Sequence, residues 1–294
     1  MQKLILIILI AVLLILLLAS CQKKPKEANQ KPFIITTIYP YELIVRELVD
    51  TLFTVDTLLP ANASPHTWSP SPQDMLRLQK ADVVLSNGLG LETNLDKTLN
   101  QFGKKHIIAS SFVNQQLLLA DDEHGLEGVN PHIWTTPEFL TGIIIGLRDE
   151  LSKRYPVSKA IFESNSRQMI MEINRVDGKI RREKDKYPKA AIVTLHDAFA
   201  YFFDYFKIEY VGSVQPSAGK DPAPKQLQEL ADKIKAKQIK AIFIEPQMNP
   251  KPAETLAQEL NLKVLKYDDL GTTLGAKTIS EYLWLNWIAL KAGF

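Results

Sequence analysis

Cysteine is almost missing from this chain. Of 294 residues only Cys21 carries a thiol, so no internal disulfide can form and a disulfide-stapled scaffold is excluded. Also missing is a glycine-rich loop ending in lysine and serine or threonine, which removes ATP hydrolysis from the chain's own chemistry. Neither sign of charge is in excess. With 35 Lys and Arg against 33 Asp and Glu the formal net charge is +2, too balanced for a nucleic-acid-binding face. Beyond Ala19 no apolar run is long enough to cross a bilayer. No serine or cysteine sits in a nucleophile elbow and no helical zinc-protease motif occurs, so no catalytic residue is assigned.

Histidine is scarce as well, and its placement is informative. Three of the five histidines lie in proline- or aspartate-flanked loops: His66 in SPHTWSP, His132 in NPHIWTTP and His196 in LHDAF. With Asp268 in KYDDLG they read as four ligands of one metal ion. Three imidazoles and one carboxylate suit tetrahedral zinc; manganese or iron(II) would favour more oxygen. Asp269 is the alternative carboxylate by position.

The amino-terminal segment reads as a secretion signal over residues 1–20. Lys3 supplies the positive start, Leu4 to Ala19 is unbroken apolar chain, and Leu18-Ala19-Ser20-Cys21 ends it with small residues. That tetrad resembles a bacterial lipobox, in which the cysteine becomes the first mature residue and carries lipid; an uncleaved membrane anchor is the alternative. Residues 21–32 are polar and lysine-rich and read as a flexible tether.

Downstream, short apolar β-branched runs alternate with amphipathic stretches. Phe33 to Ile38, Phe53 to Leu59, Val83 to Ser86 and His106 to Ala109 read as strands, with helical patterns beginning near Tyr41, Pro72 and Leu91. A second set follows at Ala191 to Leu195, Glu209 to Ser213, Ala241 to Glu245 and Lys263 to Leu265, with helices near Ala198, Pro224 and Pro252. The alternation predicts an α/β fold of two similar lobes, 33–155 and 189–294, with mostly parallel sheets flanked by helices. Between them, at 156–188, Phe162, Met169, Ile173, Val176 and Ile180 recur at helical spacing. This predicts one long rigid helix, on the order of 40 Å at about 1.5 Å per residue, joining the lobes. Two helices broken near Asp177-Gly178 would be the alternative.

His66, His196 and Asp268 fall beyond strands, at the edge where open α/β sheets collect ligands, and His132 lies in a similar kind of loop after the acidic segment. Pro65, Pro70 and Pro72 stiffen the His66 loop, and Thr135, Thr136 and Pro137 read as the cap and first turn of a helix after His132. Trp68 and Trp134, each two residues from a histidine, are candidate shields for the site. Asp197 reads as the cap of the helix near Ala198, since adjacent residues such as His196 and Asp197 rarely face one another. His106 reads as structural, the acidic segment Asp121 to Glu127 with His124 as a solvated turn or a metal-gathering loop, and Glu245 as either a plain strand-end carboxylate or a partner of the site.

These motifs resemble the zinc and manganese substrate-binding lipoproteins of bacterial ABC transporters, the family of the periplasmic zinc-binding protein. PHTW, PHIW, HDAF and YDDLG match its four ligand loops, VQPSAGKDPAP its proline-rich connection and IFIEPQ the strand that follows. The resemblance covers essentially the whole mature sequence. It implies that His66, His132, His196 and Asp268 bind a metal in the inter-lobe cleft, and that histidine at position 196 selects zinc over manganese or iron. It implies a monomeric receptor outside the cytoplasmic membrane, in a periplasm or at a cell surface, anchored by lipidated Cys21 and serving a permease and its ATPase. Ser64 and Asn130 stand where that family often has aspartate, and Asp269 where it often has proline, which bears on how the imidazoles are oriented. The rival readings are a manganese or iron receptor, a secreted zinc hydrolase with Asp268 as base, and an adhesin with an incidental metal site.

Overall fold

The structure, a computed structural model, describes residues 31–120, 128–215, 219–220 and 222–294. The expected signal segment, Cys21 and most of the tether lie outside the described residues, as does the segment 121–127 with His124. Residues 32–294 form one compact unit.

Strands form where β-branched and aromatic residues run together. β1 (Phe33–Thr36), β2 (Thr54–Thr57), β3 (Val83–Ser86) and β4 (His106–Ile108) make one parallel sheet in the order β2-β1-β3-β4. β5 (Ala191–Thr194), β6 (Glu209–Ser213), β7 (Ala241–Ile244) and β8 (Lys263–Lys266) make a second in the order β6-β5-β7-β8. The interior strands β3 (VVLS) and β7 (AIFI) are buried at every residue, whereas the edge strands β2 (TVDT) and β8 (KVLK) keep polar side chains in water. The chain reverses direction of sheet growth beside β1 and beside β5, so both sheets open their crevice at the carboxyl ends of these strands.

The helices are α1 (Tyr39–Val49), α2 (Pro72–Lys80), α3 (Asp96–Leu99), α4 (Pro137–Arg154), α5 (Lys159–Lys184), α6 (Ala200–Phe206), α7 (Pro224–Lys237), α8 (Lys251–Leu260) and α9 (Ile279–Lys291). Start signals work as the sequence implies. Ser71 and Asp74 form a reciprocal capping box before α2, and Thr136 Oγ1 accepts from Phe139 N with Pro137 in the first turn of α4. The helical pattern expected from Leu91 is instead a series of turns ending in the short α3. Gly88, Leu89 and Gly90 all have positive φ (81°, 54° and 73°), and three successive left-handed residues cannot lead directly into a helix. α9 escaped the sequence reading because its ISEYLWLNWIALK is apolar nearly all round and shows no polar face.

α5 is a single helix of 26 residues, with no break at Gly178; Arg181 Nε donates to the Asp177 carboxylate across that position at 3.0 and 3.2 Å. Its buried stripe is Phe162, Ser166, Met169, Ile173, Val176 and Ile180. Near one end Asn165 Nδ2 donates to Leu48 O of α1 at 3.1 Å. At the other, Glu183 accepts from Trp287 Nε1 (3.0 Å) and Lys291 Nζ (2.6 Å) of α9. The outer face of each sheet has its own apolar cluster, while one continuous cluster runs from Ile34 and Leu85 through α4 and α5 to Phe243 and Trp287. The inner faces of the two lobes therefore share a core. Among the described residues no helix is long and apolar enough to cross a membrane.

Candidate metal centre

His66 leaves the carboxyl end of β2 in a loop held as turns, with Ala63 N donating to Pro60 O and both Thr67 N and Trp68 N donating to Ser64 O. His132 opens a short 3₁₀ turn before α4, and Asn87 Nδ2 anchors the preceding Pro131 carbonyl at 2.9 Å. His196 lies two residues beyond the end of β5. His132 and His196 are 0% and 2% exposed, and His66 is half-buried.

The three rings converge. One nitrogen from each of His66, His132 and His196 lies within 4.8 Å of the others. His66 Nε2 and His132 Nε2 are 3.0 Å apart, and the ring centroids are separated by 5.1, 5.2 and 4.8 Å. Nitrogens bonded at about 2.0–2.1 Å to one tetrahedral ion stand about 3.3 Å apart, so the spacing suits a shared cation.

The neighbouring carboxylates divide their work. Asp268 is buried and serves its own loop: Oδ1 accepts from Gln247 Nε2 (2.9 Å), Leu270 N (3.1 Å) and Gly271 N (2.9 Å), and Oδ2 from Thr273 N (2.6 Å) and Thr273 Oγ1 (2.7 Å). It is not part of the three-histidine group. Asp269, also buried, lines a cavity of about 10 Å³ with His66, His196, Glu245, Gln247 and Met248. Its main-chain oxygen is fixed by Trp134 Nε1 (2.8 Å) and Tyr282 OH (2.6 Å).

Burial, with Glu245 and Asp268 nearby, pushes the Asp269 carboxyl well above the usual range. Burial likewise pushes Glu245 up to about 8, although Tyr267 OH donates to it. Glu245 Oε1 lies 3.6 Å from His196 Nδ1; its Oε2, and Gln247 Oε1, are buried with no hydrogen-bond partner among the described residues. Among the described residues no lysine or arginine lines the cavity.

Two expectations need correction. Asp197 does not cap a helix: α6 starts at Ala200 without a side-chain cap, and Asp197 Oδ2 accepts from Asn130 Nδ2 at 2.9 Å. Nor do the adjacent His196 and Asp197 point apart, since Asp197 Oδ1 lies 3.5 Å from His196 Nε2. The tryptophans differ from one another. Trp134 is fully buried with its ring 5.2 Å from that of His132, whereas Trp68 is half-buried in the His66 loop. His106 stays in the first sheet, with Nε2 2.7 Å from Ser86 Oγ.

Asn130, which stands where the family often has aspartate, keeps an oxygen toward the imidazole. Its Oδ1 accepts from both His132 N (3.0 Å) and His132 Nδ1 (2.8 Å), so an amide does the orienting.

A family model described as ZnuA, zinc-uptake complex component A, periplasmic, matches residues 34–289. The chain belongs to the ZnuA family. A Thermotoga maritima protein described as metal-binding is 33% identical over 86% of this chain and 89% of its own length. A metal ABC transporter substrate-binding lipoprotein of Lactococcus lactis is 26% identical over 97% of this chain and 95% of its own. The periplasmic zinc-binding protein TroA of Treponema pallidum superposes with a TM-score of 0.80 at 22% identity, covering 90% of this chain and 99% of that one. That likeness bears out the two-lobed α/β fold read from the sequence. The ZnuA family is one of transport components, as the ligand-loop motifs imply.

Proposed function

We propose that this chain captures one divalent transition-metal ion, zinc before manganese or iron(II), between its lobes and delivers it to the permease of an ABC transporter. The observation that carries the reading is the convergence of His66, His132 and His196 within 4.8 Å, from loops that the sequence keeps far apart. An all-nitrogen triad favours zinc, because manganese seeks oxygen. Asp269 and Glu245 supply negative charge beside the ion, and Asp268 shapes the loop that carries Asp269. Since one chain holds all three imidazoles, a monomer suffices.

Membership of the ZnuA family and the lipoprotein from Lactococcus lactis support an extracytoplasmic place for the protein. On this reading residues 1–20 are a signal, Cys21 carries lipid, and the stretch up to residue 32 is a tether. An ATPase on the far side of the membrane supplies the energy. Membership of a family of transport components favours this reading over the zinc hydrolase alternative.

The deciding experiment is titration of chelator-stripped protein with zinc, manganese and iron(II), followed by calorimetry and by tryptophan fluorescence. One tightly bound zinc per chain is expected, with a signal from Trp134. Equal, weak binding of all three metals would overturn the proposal.

A further inference from the structure

Asn130 is 1% exposed and every polar group on it is engaged. Its N–H donates to Leu119 O (2.9 Å) and its carbonyl accepts from Tyr201 OH (2.7 Å) of α6. Its side-chain oxygen takes His132 N and Nδ1, and its side-chain nitrogen donates to Asp197 Oδ2 at 2.9 Å. A carboxylate only accepts, so the amide nitrogen must face Asp197 and the amide oxygen must face the imidazole. His132 then carries its proton on Nδ1 and aims the Nε2 lone pair at His66 and His196.

We infer that Asn130 is a positioning residue that couples the two halves of the metal centre, holding His132 in its metal-binding tautomer with the help of Asp197, next to His196 in the other lobe, whose carboxylate takes the amide nitrogen. This rests on the metal-capture reading above. It gives release a specific trigger. When the His132 and His196 loops separate, the amide loses Asp197 and only the main-chain N–H of His132 still holds its oxygen toward the ring, so the ligand's preset orientation loosens. Side chains that orient metal-bound histidines typically change metal binding by about 10–100-fold.

The experiment is stopped-flow transfer of zinc from the loaded full chain to a chromogenic chelator. Asn130→Asp places two carboxylates face to face and is expected to release zinc about tenfold faster or more. The double variant Asn130→Asp with Asp197→Asn exchanges acceptor and donor and restores a carboxylate–amide pair, so its release rate is expected to return to within about threefold of the parent. If the effects of the two single variants simply multiply in the double variant, the coupling does not exist. Asp197→Ala keeps His132's acceptor and removes the carboxylate tie together with the charge 3.5 Å from His196 Nε2, and it guards against a folding failure of Asn130→Asp. It is expected to speed release and to mix the His132 tautomers seen by ¹⁵N NMR of the metal-free chain; the tautomers are the deciding readout, and a parental tautomer signal would overturn the inference whatever the release rate. A parent chain that takes up no zinc would instead defeat the metal-capture reading itself.

Discussion

His66 Nε2 and His132 Nε2 face each other at 3.0 Å from loops 66 residues apart, a distance spanned by a hydrogen bond when one ring carries the proton there and by a shared cation when neither does. His132→Ala removes the more deeply buried partner. We expect zinc affinity to fall by more than about 100-fold, beyond the usual effect of groups that only orient a ligand, while the melting curve of the metal-free chain stays cooperative. Competition with a chelator of known strength measures the first, and circular dichroism the second.

Asp268 and Asp269 are expected to respond in opposite ways. Asp268→Asn replaces an oxygen that accepts backbone N–H groups by an amide nitrogen, so about 1–3 kcal/mol of stability should go, seen as a fall in Tm of several degrees. Asp269→Asn should leave Tm equal or higher and weaken zinc binding, because it removes charge beside the ion. Loss of stability from Asp269→Asn with unchanged zinc affinity would refute this division.

Glu47, on α1, accepts from Ile279 N at 2.7 Å, and burial pushes its carboxyl up to about 7. Because the folded pKa lies above the unfolded one, the folded chain holds the proton more tightly. Stability from this group is full below about pH 4.5 and is lost as the pH climbs through about 7. Glu47→Gln keeps an acceptor for Ile279 and removes the charge. At pH 8 it should be the more stable form by about 1–3 kcal/mol, with the difference vanishing near pH 4.5. Denaturant melts at the two pH values test this, and parallel curves would refute it.

Two glycines in helices carry opposite expectations. A Cβ on Gly178 of α5 would meet only Arg182 Nη1, the end of a flexible side chain, at 3.3 Å. Gly178→Ala should therefore stabilise by about 0.5–1 kcal/mol. A Cβ on Gly146 of α4 would fall 2.2 Å from Phe112 Cγ, so Gly146→Ala should cost about 1–3 kcal/mol. Thermal melts of both variants read the sign directly.

What the sequence disclosed follows from which signals are local. The strands of both sheets and the stripe from Phe162 to Ile180 were legible because period and β-branching are properties of neighbouring residues. The three histidine loops were legible because proline and aspartate mark them. That the backbone amides of Leu270, Gly271 and Thr273 gather around Asp268 was not, since it depends on how the loop folds back on itself. Asn130 and Asp197, 67 residues apart, reveal their partnership only once the lobes are folded together. Asp197 looked like a cap because it precedes a helix, but α6 starts at Ala200 and the side chain is already taken by Asn130.

The continuous cluster from Ile34 to Trp287, with α5 fastened to α1 at Leu48 and to α9 at Trp287, leaves the halves little freedom to swing. Loaded and empty protein should scatter X-rays at small angles almost alike. Any partner that empties the site must then work by prying at the rim turns around His66 and His196, and the bulk of the molecule serves as the anvil against which those few residues are bent.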